Sequence, residues 1–426
     1  MSSPYKTFAI KTFGCKVNFA DSSMITQGLV EYGLSCVDIK EIADIYIINT
    51  CSVTENADKK ANKFIESLNM KSPLSKIIIT GCYAQLNAEK ISQQEGVDLV
   101  IGMEDKLNIE KYLFENLGKN IIRKNIDKTS EFNISYSLSE RTRSFIKIQD
   151  GCDYSCTYCT IPSARGKSRS GTIDNILNKI NFILESGIKE IVLSGINVGD
   201  FSSNNEDLYM LLLELEKLNK LHRYRISSIE PNLLNNNIIN VFSKSKKALP
   251  HFHIPLQSGS NKILKAMKRR YSTIDYCKLI KKINKKIPNV CIGVDVIVGF
   301  PLETVDDFME TYNFIEDLNI SYLHVFSYSK RFNTEASNIE SIVSSKEIIH
   351  RRKVLQKLSN DKFKYYINKN IGSESKVLFE KKENEFYEGL TENYIRVNVK
   401  SKKELKNKIK NVRIIKNDEF VLGELI

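Results

Sequence analysis

No stretch of the 426 residues approaches the ~18 consecutive apolar residues that a membrane span requires, which excludes a helical membrane protein. The opening residues, MSSPYKTFAIKTFGC, carry no signal-peptide pattern, because the apolar stretch is short and broken by lysines; the expected compartment is the cytoplasm. No internal repeat recurs at a solenoid period. Cysteines number nine, an odd count in a long, apparently cytosolic chain. Disulfides are disfavoured there, and clustered cysteines point instead to metal binding or catalysis. What is present is ordinary for a globular protein: 42% apolar residues and length enough for two or three domains. The formal net charge of +12 suits a polyanionic partner such as nucleic acid, although Lys, Ile and Asn enrichment along the whole chain raises it without any ligand.

Three zones differ in texture. From Tyr5 to about Gly102, strand-like YKTFAIKTF, ADIYIINT and SKIIIT alternate with helix-like SSMITQGLVEYG and ADKKANKFIESLN, which predicts βαβ units and a parallel α/β sheet. Asn108 to Arg143 reads as a helix followed by a polar linker, NIDKTSEFNISYSLSERT. From Ser144 to about Ser329, SFIKIQD, KEIVLSGIN, YRISSIE, HFHIPLQS, VCIGVDVIVGF and SYLHVFSYS are six strand candidates, most of them separated by helical patterns. That succession fits a full or partial β/α barrel, with an open doubly wound sheet as the alternative. Lys346 to Asn370 reads as a long charged helix, and the remainder as short strands of a small β-barrel. The expected domains are 1–125, 138–368 and 371–426.

Two sets of three cysteines stand out. In DGCDYSCTYCTIP, Cys152, Cys156 and Cys159 follow a strand with no fourth cysteine or histidine close by. A structural zinc site wants four ligands. Three thiolates suit a 4Fe–4S cube that keeps one iron open, although a zinc site completed from elsewhere stays possible on spacing alone. Cys15, Cys51 and Cys82 are dispersed, but each lies just beyond a predicted strand, in FAIKTFGC, YIINTC and IIITGC. Parallel strands gather their carboxyl ends on one edge, so the three are expected to converge there. Gly14 and Gly81 precede two of them and suit tight turns. Cys36, Cys277 and Cys291 read as small buried hydrophobes.

These residues resemble a known family. Cys-x3-Cys-x2-Cys with Tyr158 before the last cysteine is similar to the radical S-adenosylmethionine enzymes, and FGCKVN, NTCSVT and TGCYAQ narrow the resemblance to the methylthiotransferases. RISSIEP, HFHIPLQSGS, MKRRY and GVDVIVGFPLET match as well, so the resemblance covers essentially the whole chain; CKVN, CYAQ and SSIEP look most like the branch acting on N6-threonylcarbamoyladenosine in tRNA. The resemblance implies an N-terminal cluster-binding domain, a central radical-SAM partial barrel and a C-terminal TRAM-type β-barrel. It implies two 4Fe–4S clusters, one on Cys152, Cys156 and Cys159 and one on Cys15, Cys51 and Cys82. S-adenosyl-L-methionine would chelate the open iron of the first and yield a radical able to attack carbon 2 of adenine. The second cluster would carry the sulfur. The implied partners are a tRNA anticodon stem-loop, an electron donor and a sulfur source, with no membrane. One departure is visible: in YSKRFNT, Asn333 stands where the family usually has Gly, and Asn tolerates left-handed backbone.

Further candidates sit in the barrel zone. Tyr158, Ser194, Gly195, Asn197, Gln257 and Ser258 lie where a barrel contacts a cofactor, and Arg225 and Glu230, flanking RISSIE, are expected to face it too. His251 and His253 alternate on a strand and read as satisfied core or rim histidines, and Asp295, inside an apolar strand, needs a partner. RNA contact is expected along the lysine-rich stretch Lys400–Arg413, with Tyr387 and Tyr394 as exposed aromatics, and at KRRY from Lys268. Two other readings remain at this point: a methylthiotransferase acting on a ribosomal-protein aspartate, and a non-catalytic zinc-dependent RNA-binding protein. Within the tRNA reading, isopentenyladenosine is the second substrate.

Overall fold

The fold is seen in a computed structural model that describes residues 5–52, 54–113, 120–129, 131–138 and 142–426. Six parallel strands form the N-terminal sheet: β1 (Thr7–Thr12), β2 (Ser35–Cys36), β3 (Ile45–Thr50), β4 (Lys76–Gly81), β5 (Leu99–Ile101) and β6 (Ile121–Ile122), in the order β2-β1-β3-β4-β5-β6. β3, IYIINT, is buried at every position, as a central strand covered on both faces must be. Helices α1 (Lys16–Glu31), α2 (Glu55–Lys71), α3 (Cys82–Leu86) and α4 (Ala88–Ser92) make the crossovers. The helix expected from Asn108 is instead a 3-10 segment, Lys106–Tyr112, kinked at Asn108. Ser130 and residues 139–141 of the polar linker lie outside the described residues.

All six expected barrel strands are present: β7 (Arg143–Lys147), β10 (Glu190–Ser194), β13 (Arg223–Ile226), β14 (His251–His253), β15 (Cys291–Val298) and β16 (Tyr322–Ser327). Between them lie two short antiparallel pairs, β8–β9 (Gln149–Asp150 with Arg169–Ser170) and β11–β12 (Ser202–Ser203 with Glu206–Asp207). β7-β10-β13 and β14-β15-β16 are each parallel, and the bridges Tyr224↔Ala248 and Ser228↔His253 join the two halves. The spatial order follows the chain order without reversal, which is a partial barrel and not a doubly wound sheet.

Helices α5 (Ile161–Arg165), α6 (Ile173–Glu185), α7 (Leu208–Lys217), α8 (Asn236–Lys244), α9 (Asn261–Ala266), α10 (Thr273–Lys286), α11 (Val305–Asp317) and α12 (Ser345–Asn368) complete the central unit. Ile146, Ile191, Leu193, Tyr224 and Ile226 pack with helix residues such as Ile180, Leu212 and Phe242 in one core. Side chains alternate along a strand, so Arg143, Phe145 and Lys147, Glu190 and Val192, and Arg223 and Arg225 fall on the inner wall. Phe19 and Ala20 of α1 pack against Phe145 and Val192. The first helix of the N-terminal unit therefore lies along the inside of the partial barrel.

The closed C-terminal barrel, β17 (Glu374–Glu383), β18 (Phe386–Leu390), β19 (Arg396–Lys400), β20 (Ile409–Asn417) and β21 (Val421–Leu425), caps the opposite end. Arg223 donates to the carbonyls of Lys376 (3.2 Å) and Leu390 (3.0 Å), Arg225 to those of Thr391 (2.7 Å) and Glu392 (2.8 Å), and Arg143 pairs with Glu380 at 2.5 Å. Cys36 departs from the expected pattern. It is exposed on β2, a two-residue strand at the edge of the sheet. Cys291 is buried, and Cys277 packs half-buried on the main core.

Candidate functional site

Cys15 is the residue before α1, just past β1; Cys51 follows β3; Cys82 opens α3 directly after β4. β1, β3 and β4 are adjacent and parallel, so the three cysteines share one edge, at the point where the strand order reverses. Gly14 has φ +113°, and a Cβ there would stand 2.7 Å from Cys51 Cβ and 3.0 Å from its sulfur. Gly81 has φ +97°, with Asn49 Oδ1 2.6 Å from a Cβ position and the Thr50 carbonyl closer still. Only glycine lets the first turn close up against Cys51 and the second against Thr50 and Asn49. Arg165, fully buried at the end of α5, donates from Nε to Cys82 Sγ (3.2 Å), from Nη1 to Asp150 (2.9 Å) and from Nη2 to Asn18 (2.5 Å). Gly14, next to Cys15, packs on Cys51, and Cys51 and Cys82 follow paired neighbouring strands, so the three cysteines lie on adjacent strand ends.

Cys152, Cys156 and Cys159 lie in the loop between β8 and α5. Each sulfur accepts one N–H: from the Tyr154 amide at 3.4 Å, from Arg269 Nη1 at 3.1 Å and from the Ile161 amide at 3.4 Å. Burial pushes the Cys152 thiol up to about 11 and the Cys159 thiol to about 12. Sulfurs so costly as bare anions become thiolates with a metal to compensate the charge. Arg269 also pairs with Glu230, which brings that carboxylate to the side of Cys156. Either trio could hold a 4Fe–4S cube with one iron left open.

Polar atoms without partners mark the space beside the second trio. Asn197 is 3% exposed, and neither its amide nitrogen nor its oxygen has a partner among the described residues. The Ser227 hydroxyl, Gln257 Oε1 and the Tyr328 hydroxyl are buried and unpartnered as well. Buried groups of this kind are normally satisfied, so four at the carboxyl ends of barrel strands call for a polar ligand, and S-adenosylmethionine, with amino, carboxylate and ribose groups, fits them. Tyr158, Gln257, Asp295, Ile297 and Tyr328 line an adjoining cavity of about 170 Å³. Gly195 packs on Gln149, whose Oε1 receives the amides of Ile196 (3.0 Å) and Asn197 (2.9 Å).

Comparison with known proteins places the chain in a family. A family profile described as uncharacterized protein family UPF0004 matches residues 7–102, and one described as the radical SAM superfamily matches residues 146–315. The threonylcarbamoyladenosine tRNA methylthiotransferase MtaB of Bacillus subtilis is 37% identical, over 96% of this chain and 94% of its own length. Its namesake in Aquifex aeolicus is 35% identical, over 93% and 97%. This chain belongs to the radical S-adenosylmethionine methylthiotransferase family. A tRNA-2-methylthio-N(6)-dimethylallyladenosine synthase from Endomicrobium trichonymphae is 33% identical over 96% of both chains. Among solved structures, the radical S-adenosylmethionine methyltransferase TsrM of Kitasatospora setae superposes with a TM-score of 0.58, covering 75% of this chain and 73% of that one, at 11% identity. That likeness concerns the fold. The cofactors of this methylthiotransferase are S-adenosylmethionine and 4Fe–4S clusters.

Several expectations change in the folded methylthiotransferase. Arg225 does not face the cysteines: its Nε pairs with Glu190 at 3.0 Å and its two Nη groups bind the C-terminal barrel. Arg225 and Glu230 are five residues apart on one strand and its exit, so they stand at opposite ends of the barrel. The hydroxyls of Ser258 and Ser194 are also engaged internally, with Thr311 (3.2 Å) and the Val192 carbonyl (3.2 Å). Tyr387 is buried in the small barrel, and Tyr394 stacks on His251 with ring centroids 3.8 Å apart, so neither is an exposed platform. Within KRRY, Arg269 is taken by Cys156 and Glu230, while Lys268, paired with Glu335, and Arg270, 3.7 Å over the Tyr154 ring, stay exposed. Asp295 finds its partners in His253 (2.8 Å) and His324 (3.4 Å), which hold its carboxyl well below the usual range despite burial.

Sequence reasoning missed Arg165 and the buried network behind it. Asp21 meets Lys106, Lys147 (3.0 Å) and Arg165 (3.8 Å), and Asp150 meets Arg165, Lys147 (3.4 Å) and Arg169 (3.7 Å). These cations hold both carboxyls far below their ordinary values against the cost of burial. The available signal was position: Arg165 comes six residues after Cys159, and Asn18 and Asp21 lie within a turn or two of Cys15.

Proposed function

We propose that this chain adds a methylthio group to carbon 2 of N6-threonylcarbamoyladenosine next to the tRNA anticodon. Cys152, Cys156 and Cys159 hold one 4Fe–4S cluster in this reading, and Cys15, Cys51 and Cys82 hold a second. The observation that carries it is the contact of Arg165, on the helix that follows Cys159, with Cys82, which supports two cysteine sets lying close together in the fold. The near-full-length identity to proteins named for that activity supports the substrate.

When bound, the cluster and S-adenosylmethionine supply the one-electron chemistry that an unactivated C–H bond demands. The chain's own residues position and shield it. Asn197, Ser227 and Gln257 offer unpartnered polar atoms to the cofactor. Arg269 and Arg165 each hold one cysteine sulfur, and Phe19 and Ala20 close the inner wall against Phe145 and Val192. Lys402, Lys403, Lys406, Lys408 and Lys410 are exposed and suit an RNA backbone. A loop adenosine can be splayed out and reached without melting a duplex. The reaction needs a low-potential electron donor and a source of sulfur, and a tRNA substrate suits a cytoplasmic enzyme. Among the described residues no helix is long and apolar enough to cross a membrane.

The test is anaerobic reconstitution with iron and sulfide analysis, followed by transfer assays on anticodon stem-loops. About eight irons are expected in the wild type, and about four in each of Cys15→Ala/Cys51→Ala/Cys82→Ala and Cys152→Ala/Cys156→Ala/Cys159→Ala. Methylthiolated threonylcarbamoyladenosine should form only with both trios intact. Zinc in place of iron, or four irons all lost with the second trio, would overturn the two-cluster reading. Product on dimethylallyladenosine RNA alone would move the substrate to that of the other relatives.

A further inference from the structure

Lys16 directly follows Cys15 and opens α1. It lies three and four residues before Phe19 and Ala20, so all three share the helix face that meets the inner wall of the barrel. Protein surrounds Lys16, yet its side chain keeps part of its surface open, as one lining an internal space does. Among the described residues its ammonium makes no hydrogen bond, ion pair or ring contact. The carboxylates at this end of the barrel are already taken. Glu190 is already shared by Arg223 (2.6 Å), Arg225 (3.0 Å) and Arg143 (3.8 Å), and Glu380 is taken by Arg143. Four cations thus meet two carboxylates at this end of the barrel, and Lys16 is the one left over. Beside them His251, 2% exposed, stacks on Tyr394 and uses Nε2 on the Tyr322 hydroxyl (3.0 Å), while its Nδ1 is buried without a partner. The Arg225 guanidinium lies 5.2 Å over the same Tyr394 ring, so His251 belongs to the same end of the barrel as the cation cluster.

An unpaired ammonium partly enclosed by protein and an unpaired buried imidazole nitrogen are costly unless a ligand completes them. The ligand they match carries a negative charge and hydrogen-bond acceptors. We propose that Lys16, with His251 Nδ1, forms an anion subsite in the barrel lumen that takes the carboxylate of the substrate's N6-threonylcarbamoyl group. This rests on the function proposed above. The subsite sits one residue from Cys15, so the modification is read beside the cluster ligand that would carry the sulfur. Lys16 is a specificity residue in this account: a neutral dimethylallyl group gives it nothing to bind. The methionine carboxylate of S-adenosylmethionine has the same chemistry and is the competing source.

The test measures equilibrium binding of anticodon stem-loops by reconstituted protein. Three RNAs differ only at the adenosine: threonylcarbamoyl, threonylcarbamoyl methyl ester, and unmodified. The wild type should prefer the free acid over the unmodified RNA by about ten-fold or more, as one charge-assisted contact allows. The ester should lose most of that preference. In Lys16→Gln the preference should collapse, with unmodified RNA bound as by the wild type, and Lys16→Arg should restore it. S-adenosylmethionine affinity should not change. Equal binding of acid and ester by the wild type overturns the subsite without any variant, so loss of iron in Lys16→Gln does not leave the question open. A weakened S-adenosylmethionine affinity with the acid preference intact assigns Lys16 to the cofactor and also overturns it. If the wild type methylthiolates only dimethylallyl RNA, the proposed substrate itself fails, which is distinct from a threonylcarbamoyl enzyme that ignores Lys16.

Discussion

Replacing Arg165 with Met tests whether one side chain ties the two cysteine sites together. Its guanidinium is fully buried, donates to Cys82, Asp150 and Asn18, and pairs with Asp21 at 3.8 Å. Removing one partner of a buried ion pair costs roughly 3–5 kcal/mol, mostly because the other charge is left uncompensated. Asp150 retains Lys147 at 3.4 Å and Arg169 at 3.7 Å, so the low end, about 3 kcal/mol, is expected. Cys82 loses the only side-chain donor seen on its sulfur among the described residues. Iron should therefore be lost selectively from the first trio. The cleanest assay uses the Cys152→Ala/Cys156→Ala/Cys159→Ala background, where all remaining iron belongs to Cys15, Cys51 and Cys82. Adding Arg165→Met there should take iron from about four per chain toward zero and lower the denaturant midpoint. Arg165→Lys should recover part of the stability but not the full iron, since an ammonium cannot reproduce the planar fork. Full iron occupancy in Arg165→Met, with stability within about 1 kcal/mol of the parent, would refute the reasoning.

Gly81→Ala forces a side chain into left-handed backbone against Thr50 and Asn49, so it should strip iron from the first trio and leave the second at about four irons per chain. Glu190, whose carboxyl three arginines hold at about 2 against an ordinary 4.5, adds stability that is complete above pH 4.5 and lost as pH falls toward 2. The contribution is on the order of 3 kcal/mol, and Glu190→Gln should flatten the acid limb of an unfolding titration followed by circular dichroism. Asn333 has φ +63°, the conformation expected of a residue standing in for Gly, so Asn333→Gly should leave the thermal midpoint unchanged while Asn333→Val costs about 1–2 kcal/mol. Phe332 is 89% exposed next to Arg331, which anchors its loop to Ser52 (2.6 Å) beside Cys51; Phe332→Ala should weaken stem-loop binding several-fold with iron content intact, as loss of one base-stacking face would.

Much of this protein is local, and local features are legible in a string of residues. The alternation of apolar runs with helical patterns announced both parallel units, because a strand buried on two faces and its crossover helix each leave a period in the chain. Cys152, Cys156 and Cys159 sit within one loop, so their spacing alone indicated a shared ligand. Cys15, Cys51 and Cys82 were legible because parallel βα units return every strand end to one edge. What no local pattern carries is which distant charges meet. Arg225 reads as a residue near the cofactor and proves to clamp the C-terminal barrel, since a strand's two ends face different neighbours. Tyr394 reads as an exposed ring and proves to be stacked on His251. Arg269 reads as part of a basic patch and proves to hold Cys156. Residue types and strand ends are set by the sequence. Whether a given cation is paired, and so whether Lys16 is left to receive a ligand, depends on carboxylates supplied by strands hundreds of residues away, and only packing the three units together decides it.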